Sequence, residues 1–186
     1  MNANLQKMKQ GKIYDPGDPE ILKQQKVCLK RIAEYNQILP DDPKRNQLLS
    51  AIFKSCGRDC YFESPLHANW GIHTSVGDNV YANFNLTLVD DGEVQIGNYV
   101  MFGPNVTLAT ANHPIKPKLR RQQLQFNKPI IIEDNVWIGA NAVILSGVTI
   151  GENSVIGAGS VVTHSVPANS VAVGVPCRVM REIQDD

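Results

Sequence analysis

The sequence predicts a mainly β chain wound into a triangular parallel coil of hexapeptide repeats, preceded by a helical hairpin. Three features predict it: an aliphatic residue at every sixth position through the second half, asparagine and glycine at fixed offsets from those positions, and two Asp-Pro helix starts near the N-terminus.

Helices come first. Asp18-Pro19-Glu20 offers an N-cap carboxylate followed by proline in the first turn, and Ile21, Leu22, Leu29, Ile32 and Ala33 then recur at helical spacing. The same grammar repeats at Asp42-Pro43, where Leu48, Leu49, Ile52 and Phe53 form an apolar stripe ending before Gly57. So small a hairpin needs a further layer to bury its apolar face. Residues 1–57 are therefore expected to pack on the coil.

The coil is read from Ile132, Ile138, Ile144, Ile150, Ile156 and Val162, six consecutive hexad positions without a miss, and the same frame holds Ile96, Phe102 and Leu108. Four residues after these anchors come Val100, Val106, Val136, Ala142, Val148, Ser154 and Ser160, small or β-branched. Such alternation suits a narrow prism in which large and small side chains share the interior. Asn79, Asn105, Asn135, Asn141 and Asn153 fall at the turns, where positive φ is best tolerated by asparagine and glycine. A helix is excluded because its 3.6-residue period does not hold a hexad on one face. A sandwich would want irregular strand spacing.

Two breaks interrupt the count. Val76, Ala82, Leu88 and Val94 keep a period of six in a frame offset by two, so the phase slips near Asp90-Asp91-Gly92-Glu93. Between Leu108 and Ile132 the anchors vanish, and residues 112–129 read as a loop ejected from the prism. A long excursion from a regular solenoid points to function, because interrupting the stack gains nothing structurally. The prism is expected over 58–176, with a short tail or helix over 177–186.

Composition excludes several classes. Eighteen Lys+Arg balance eighteen Asp+Glu, so there is no broad basic field for nucleic acid or anionic membrane. No run approaches the roughly eighteen apolar residues of a membrane span, and the N-terminus has no apolar signal core. A cytoplasmic location is expected. Cys28, Cys56, Cys60 and Cys177 are unevenly spaced, so free thiols are expected, and Cys56 and Cys60 lack a second Cys/His pair to complete a zinc site.

Beyond the hexads, Tyr81-Ala82-Asn83-Phe84-Asn85, Val89-Asp90-Asp91, His113-Pro114, Asn135-Val136-Trp137-Ile138-Gly139 and Gly174-Val175-Pro176-Cys177-Arg178 resemble the galactoside/maltose O-acetyltransferase branch of the hexapeptide-repeat acyltransferases. The resemblance runs through nearly the whole chain. It implies a left-handed parallel β-helix, a homotrimer with sites between prisms, and transfer of acetyl from acetyl-CoA to a hydroxyl of a sugar or related small acceptor, with no metal required. It also implies the residue roles. His113 would be the general base, a task that suits imidazole because its proton affinity is matched to neutral pH. Asn83, Asp91, Asn69 and Asp15 would contact the acceptor, Asn69 standing where relatives often carry Asp or Ser. Asp18 is near the same acidic position but already has a capping explanation, and Gln25 replaces a basic residue of relatives. Trp137, Gly139, Ala140, Ala158, Thr163, His164, Arg178 and Arg181 would line the donor groove. An amide near Ala140 would face the oxyanion, and the two arginines would meet phosphates. His164 replaces a common Lys. The basic run Lys116, Lys118, Arg120 and Arg121 either borders the CoA channel or keeps the loop soluble.

Three rivals stand beside this reading. A γ-type carbonic anhydrase would need three zinc-binding histidines; His67 and His73 are one hexad apart, but no second histidine follows His113 within a few residues and the next, His164, is on the donor side, so the ligand count fails. A non-catalytic scaffold would need a lost base or a closed groove. The third is the same transfer to an antibiotic, a serine or an amino sugar.

Overall fold

The structure is a computed structural model that describes residues 2–184. Helices α1 (Ala3–Lys9), α2 (Pro19–Tyr35) and α3 (Lys44–Ile52) lead into the coil. Asp18 caps α2 as the sequence predicts, accepting from the Glu20 N–H at 2.9 Å, with Pro19 in the first turn. Helix α1 is an addition to the predicted hairpin. Asn2 caps it, and the Asn2 and Asn4 amides donate to Asp18, whose carboxyl they hold below the usual range. The buried stripe of α2 is Ile21, Cys28, Ile32 and Tyr35, whereas Leu22, Leu29 and Ala33 face outward. Helix α3 starts one residue past the predicted proline position, with Asp42 accepting from the Lys44 N–H at 2.8 Å. Buried Arg45 pins α3 to α2 and the prism. Its guanidinium lies 4.4 Å from the Tyr35 ring centroid and donates to the Tyr35 hydroxyl at 2.6 Å and the Phe62 carbonyl at 2.5 Å.

Each coil then contributes three short strands. The first coil is β1 (Ser55–Cys56), β2 (Tyr61–Phe62) and β3 (His67–Ala68); the second is β4 (Thr74–Val76), β5 (Tyr81–Ala82) and β6 (Thr87–Val89); the third is β7 (Val94–Ile96), β8 (Met101–Phe102) and β9 (Thr107–Ala109). The ejected loop carries β10 (Ala111–Asn112), a single helical turn α4 (Pro117–Arg120) and β11 (Phe126–Asn127). The coil resumes with β12 (Ile130–Ile132), β13 (Trp137–Ile138) and β14 (Val143–Leu145), then β15 (Thr149–Ile150), β16 (Val155–Ile156) and β17 (Val161–Val162), and ends in β18 (Ser170–Val173) and β19 (Arg178–Glu182). Stacking of successive coils makes three parallel sheets, of orders β1-β4-β7-β12-β15, β2-β5-β8-β13-β16-β18 and β3-β6-β9-β14-β17. The result is a left-handed parallel β-helix.

The anchors point inward. Ile132, Ile138, Ile144, Ile150, Ile156 and Val162 are at most 1 % exposed, each worth about 1.5–3 kcal/mol of burial. Asn79, Asn85, Asn105, Asn135, Asn141, Asn153 and Asn169 all take positive φ at the turns, and Asn135–Asn153–Asn169 and Asn85–Asn105–Asn141 form amide ladders along two edges. Gly139 has another reason: a Cβ there would lie 2.6 Å from the Ala158 nitrogen of the next coil.

The phase slip has a simple cause. Val76 pairs with Ile96 across twenty residues (96 − 76), while Ile132 pairs with Ile150 across eighteen (150 − 132), so the corner after β6 holds two extra residues. Val94 is buried but pairs with Thr74, so the inward frame passes from Leu88 to Ile96. The chain leaves the prism after Ala109 and returns at Ile130, with β10 and β11 forming an antiparallel stem.

The expected C-terminal helix is corrected. Residues Arg178–Glu182 form β19, antiparallel to β18. A solenoid end exposes unpaired N–H and C=O groups, and a charged strand folded back through Gly174-Val175-Pro176 covers them.

Candidate active site

The predicted site residues divide between two edges of the prism. Asn69, Asp91, His113, Thr163 and His164 follow strands of the third sheet, at the corner toward the first sheet. Asn83, Gly139, Ala140 and Ala158 lie at the corner between the second and third sheets, and Trp137 stands on β13 just before it.

On the first of these edges the extra corner residues do the positioning. Asp91 is nearly buried. Its Oδ2 accepts from the Asn69 amide at 2.9 Å and its Oδ1 from the Trp70 indole at 3.3 Å, while its backbone carbonyl accepts from the Asn127 amide at 3.0 Å. Neighbouring Asp90 turns inward and accepts from the Trp70 N–H at 2.8 Å and the Thr74 hydroxyl at 2.9 Å. Burial pushes the Asp90 carboxyl pKa up. The folded protein therefore holds that proton more tightly than the unfolded chain, and this contribution to stability is lost as pH rises from the unfolded carboxyl range through the folded value. Asp90→Asn keeps an acceptor for Trp70 without the buried charge. It is expected to match or exceed the wild-type melting temperature at neutral pH. Asp90→Ala leaves two donors stranded and is expected to cost about 1–3 kcal/mol for each one left unpaired. Thermal melts of both variants between pH 4 and 8 check this.

His113 sits where β10 gives way to the loop and is exposed. Its Nδ1 lies 2.8 Å from the Leu124 carbonyl on the loop's return limb. A carbonyl only accepts, so Nδ1 carries the proton and Nε2 presents its lone pair. Asn112, next to it, donates to the Ser146 hydroxyl. The loop is braced from the N-terminal segment, since Tyr14 and Gln125 form an antiparallel bridge with N–H···O distances of 2.9 and 3.0 Å. Buried Tyr14 also accepts from the Gln125 amide at 2.7 Å and lies 3.4 Å from Asn127, and burial with the nearby Asp91 charge raises its pKa. Asp15 therefore emerges beside the bridge that carries Leu124. It is exposed, and its Oδ1 accepts from the Gly17 N–H at 2.8 Å. The Tyr14–Gln125–Asn127 cluster escaped the sequence reading. Tyr14 lies 111 residues from Gln125 in the chain, so no local pattern pairs them, and Asn127 is an ordinary loop residue by type.

On the other edge, Asn83 Oδ1 accepts from the Phe84 N–H at 2.7 Å, closing its own turn. Ala140 and Ala158 stack in adjacent coils, with the Ala140 carbonyl accepting from Gly159 N–H at 2.8 Å. Trp137 is half exposed between Met101 and Val155 in register, and Tyr81 continues that outward row. Thr163 Oγ1 is 2.8 Å from His164 Nδ1. Arg178 and Arg181 are exposed on β19, and their guanidinium groups donate to the backbone carbonyls of Cys177 and Glu182. Neither pairs with a carboxylate among the described residues. Lys116, Lys118, Arg120 and Arg121 are likewise exposed around α4. Within one chain, the His113 edge and the Ala158 edge are separate sides of the prism.

Among the described residues, no three His, Cys, Asp or Glu side chains gather as a metal site, and no helix is long and apolar enough to cross a membrane. His73, one of the zinc-rival histidines, has its Nδ1 2.9 Å from the Asp90 carbonyl.

A left-handed hexapeptide prism with an ejected loop is the fold of the hexapeptide-repeat acyltransferases. Comparison with known proteins narrows the class. Residues 129–164 match the family described as "Hexapeptide repeat of succinyl-transferase", and residues 7–57 match the "Maltose acetyltransferase hexapeptide capping motif". The chain is 47% identical over 175 residues to a galactoside O-acetyltransferase of Lactococcus lactis, covering 93% of this chain and 84% of the relative. A galactoside O-acetyltransferase of Escherichia coli is 48% identical over 153 residues, covering 82% and 75%. A maltose O-acetyltransferase structure from Clostridium difficile superposes with a TM-score of 0.96 at 40% identity, covering 99% of each chain. A galactoside acetyltransferase in complex with coenzyme A superposes at 0.95 and 41% identity, covering 100% of this chain and 93% of the other. The chain belongs to the galactoside/maltose O-acetyltransferase family and is an O-acetyltransferase.

Proposed function

We propose that the protein moves the acetyl group of acetyl-CoA directly to a hydroxyl of a sugar or sugar-like acceptor, at a composite site between neighbouring prisms of a homotrimer. The observation that carries the mechanism is the His113 imidazole, held through Nδ1 on the Leu124 carbonyl with Nε2 left as the proton acceptor. An alcohol is a poor nucleophile at neutral pH, and a positioned base removes its proton as the C–O bond forms. The acceptor oxygen attacks the thioester carbonyl carbon, Nε2 takes the hydroxyl proton, and the carbonyl oxygen becomes an oxyanion. The amide near Ala140 faces that charge from the neighbouring prism. Collapse breaks the C–S bond, and the His113 imidazolium returns the proton to the departing thiolate. No covalent enzyme intermediate forms.

Asn69 and Asp91 hold adjacent acceptor hydroxyls as a joined amide–carboxylate pair, and Asp15 and Asn83 complete the acceptor site. Trp137, Gly139, Ala140, Ala158, Thr163 and His164 line the pantetheine and nucleotide path, and Arg178 and Arg181 meet its phosphates. The coenzyme A complex of the relative at 41% identity supports that donor. The separation of the two edges supports the trimer, since a reaction needing both takes one from each of two chains.

Asp91→Asn is expected to raise the acceptor KM about tenfold or more with the acetyl-CoA KM little changed, because a charge-assisted hydrogen bond exceeds a neutral one by about that much. A selective rise in the acetyl-CoA KM would reverse the assignment. Isotope-labelled acetyl-CoA tests the reading as a whole. Label should appear on the acceptor oxygen, while the intact-protein mass recorded during turnover stays unmodified. An acetylated protein competent to pass its label to acceptor would replace direct attack with a covalent route.

A further inference from the structure

The peptide unit joining Leu124 to Gln125 is clamped from both sides. Its carbonyl accepts from His113 Nδ1 at 2.8 Å, and its N–H donates to the Tyr14 carbonyl at 3.0 Å. A trans peptide is planar and points its C=O and N–H in opposite directions, so this plane cannot turn under the imidazole without giving up the bond to Tyr14. Behind the backbone pair lies a buried polar cluster. The Gln125 side-chain amide donates to the Tyr14 hydroxyl at 2.7 Å and to Asn127 Oδ1 at 3.3 Å, and the Tyr14 hydroxyl lies 3.4 Å from the same Oδ1. The amide nitrogen of Asn127 donates to the Asp91 carbonyl at 3.0 Å. Tyr14, Gln125 and Asn127 are 1, 8 and 4 % exposed, and no buried side-chain nitrogen or oxygen among the described residues lacks a hydrogen bond. A fully satisfied buried network is rigid, and opening one of its bonds strands the groups left behind.

Resting on the proposed function, we infer that Tyr14 and Gln125 are positioning residues for acetyl transfer: they fix the Leu124 carbonyl so that His113 is held with the proton on Nδ1 and Nε2 free, in one frame with Asp91. A neutral imidazole exists as two tautomers, and only an acceptor fixed at Nδ1 selects the one that leaves Nε2 as a base. The loop cannot supply that fixity alone, because the residues around α4 are exposed. The frame matters because Asp91 and His113 stand on different segments, at a prism corner and at the root of the ejected loop, and a misplacement of about 1 Å can cost about a hundredfold in rate. Asn127 joins the two, reaching the Asp91 backbone with one end of its amide and the Tyr14–Gln125 pair with the other. The N-terminal segment therefore does more than pack on the coil. Through Tyr14 it sets the geometry of the base.

The experiment is a double-mutant cycle between Tyr14→Phe and His113→Ala, read as kcat with labelled acetyl-CoA. Tyr14→Phe deletes one oxygen and strands the Gln125 amide. It should lower kcat by at least about tenfold with the acetyl-CoA KM unchanged, and it should cost nothing further in the His113→Ala protein, because its effect passes through the imidazole. The same fractional loss in both backgrounds would mean a merely structural role and overturn the inference. Gln125→Met, similar in length but without the amide, strands the Tyr14 hydroxyl instead and should give the same cycle; it takes the place of Tyr14→Phe if gel filtration shows that variant misassembled. Nitrogen-15 NMR of labelled histidines at alkaline pH reads the tautomer without turnover, with His113 assigned by the signal that His113→Ala lacks. Wild type should show the Nδ1–H tautomer alone, and the Tyr14 and Gln125 variants a mixture. A mixture already present in wild type, or a single tautomer retained in the variants, would reject the inference. A His113→Ala rate equal to wild type would fail the proposed mechanism instead, and the tautomer measurement would still judge what Tyr14 and Gln125 hold.

Discussion

Replacing His113 with alanine is expected to lower kcat by at least about a hundredfold, the usual worth of a positioned general base. The fold should survive, because the side chain is exposed and bonds only to the Leu124 carbonyl. The loss should fall on kcat rather than on the acetyl-CoA KM, since the imidazole acts on a proton in flight and lies on the opposite prism edge from Ala158. His113→Gln is a useful companion. It can still reach the Leu124 carbonyl but takes no proton, so it should be as slow as alanine. Steady-state kinetics with gel filtration checks both variants. A His113→Ala rate close to wild type would remove the residue from the mechanism.

Mixed trimers should recover activity that each parent lacks. His113→Ala spoils the edge after the third sheet, and Ala158→Asp places a carboxylate in the donor path on the edge after the second. Each homotrimer is expected to be inactive. In a 1:1 mixture a working site needs an intact His113 edge from one chain and an intact Ala158 edge from its neighbour, a chance of one half times one half, so about a quarter of wild-type activity should return. Co-refolded mixtures assayed against ratio test this. No recovery at any ratio would mean that one chain supplies both edges. An outward row of Tyr81, Met101 and Trp137, each exposed in a single chain, fits burial between prisms.

Much of this architecture is legible in the sequence because the prism interior admits only one kind of residue at each inward position. Ile132 through Val162 announce the coil, and the asparagine turns follow from positive φ. The phase slip at Asp90–Glu93 is visible as an offset. That it is a two-residue corner insertion needs the Val76–Ile96 register. Helix α1 is not legible, since seven residues with one cap depend on the Asp18 carboxylate sixteen positions away from Asn2. Strand β19 differs from the expected helix for the opposite reason: all five residues are exposed, so no buried periodicity distinguishes a strand from a helix. In the site, His113 stands out by preceding an anchor-free loop. What holds it does not, because the Tyr14–Gln125 contact spans 111 residues and Leu124 contributes only a carbonyl. The acidic choice between Asp15 and Asp18 also needs three dimensions. Asp18 caps α2 and holds α1, while the Asp15 carboxylate accepts from Gly17 N–H next to the Tyr14–Gln125 bridge, an arrangement that no local sequence pattern displays.

Release of free CoA thiol from acetyl-CoA reports acceptor-dependent acetyl transfer through His113. The assay sets wild type against His113→Ala over glycosides, free sugars, amino sugars, serine and chloramphenicol. Thiol release is expected to depend on a sugar acceptor and to disappear in the variant. Acetyl-CoA that binds without release for any acceptor, or release that persists undiminished in His113→Ala, would contradict that mechanism.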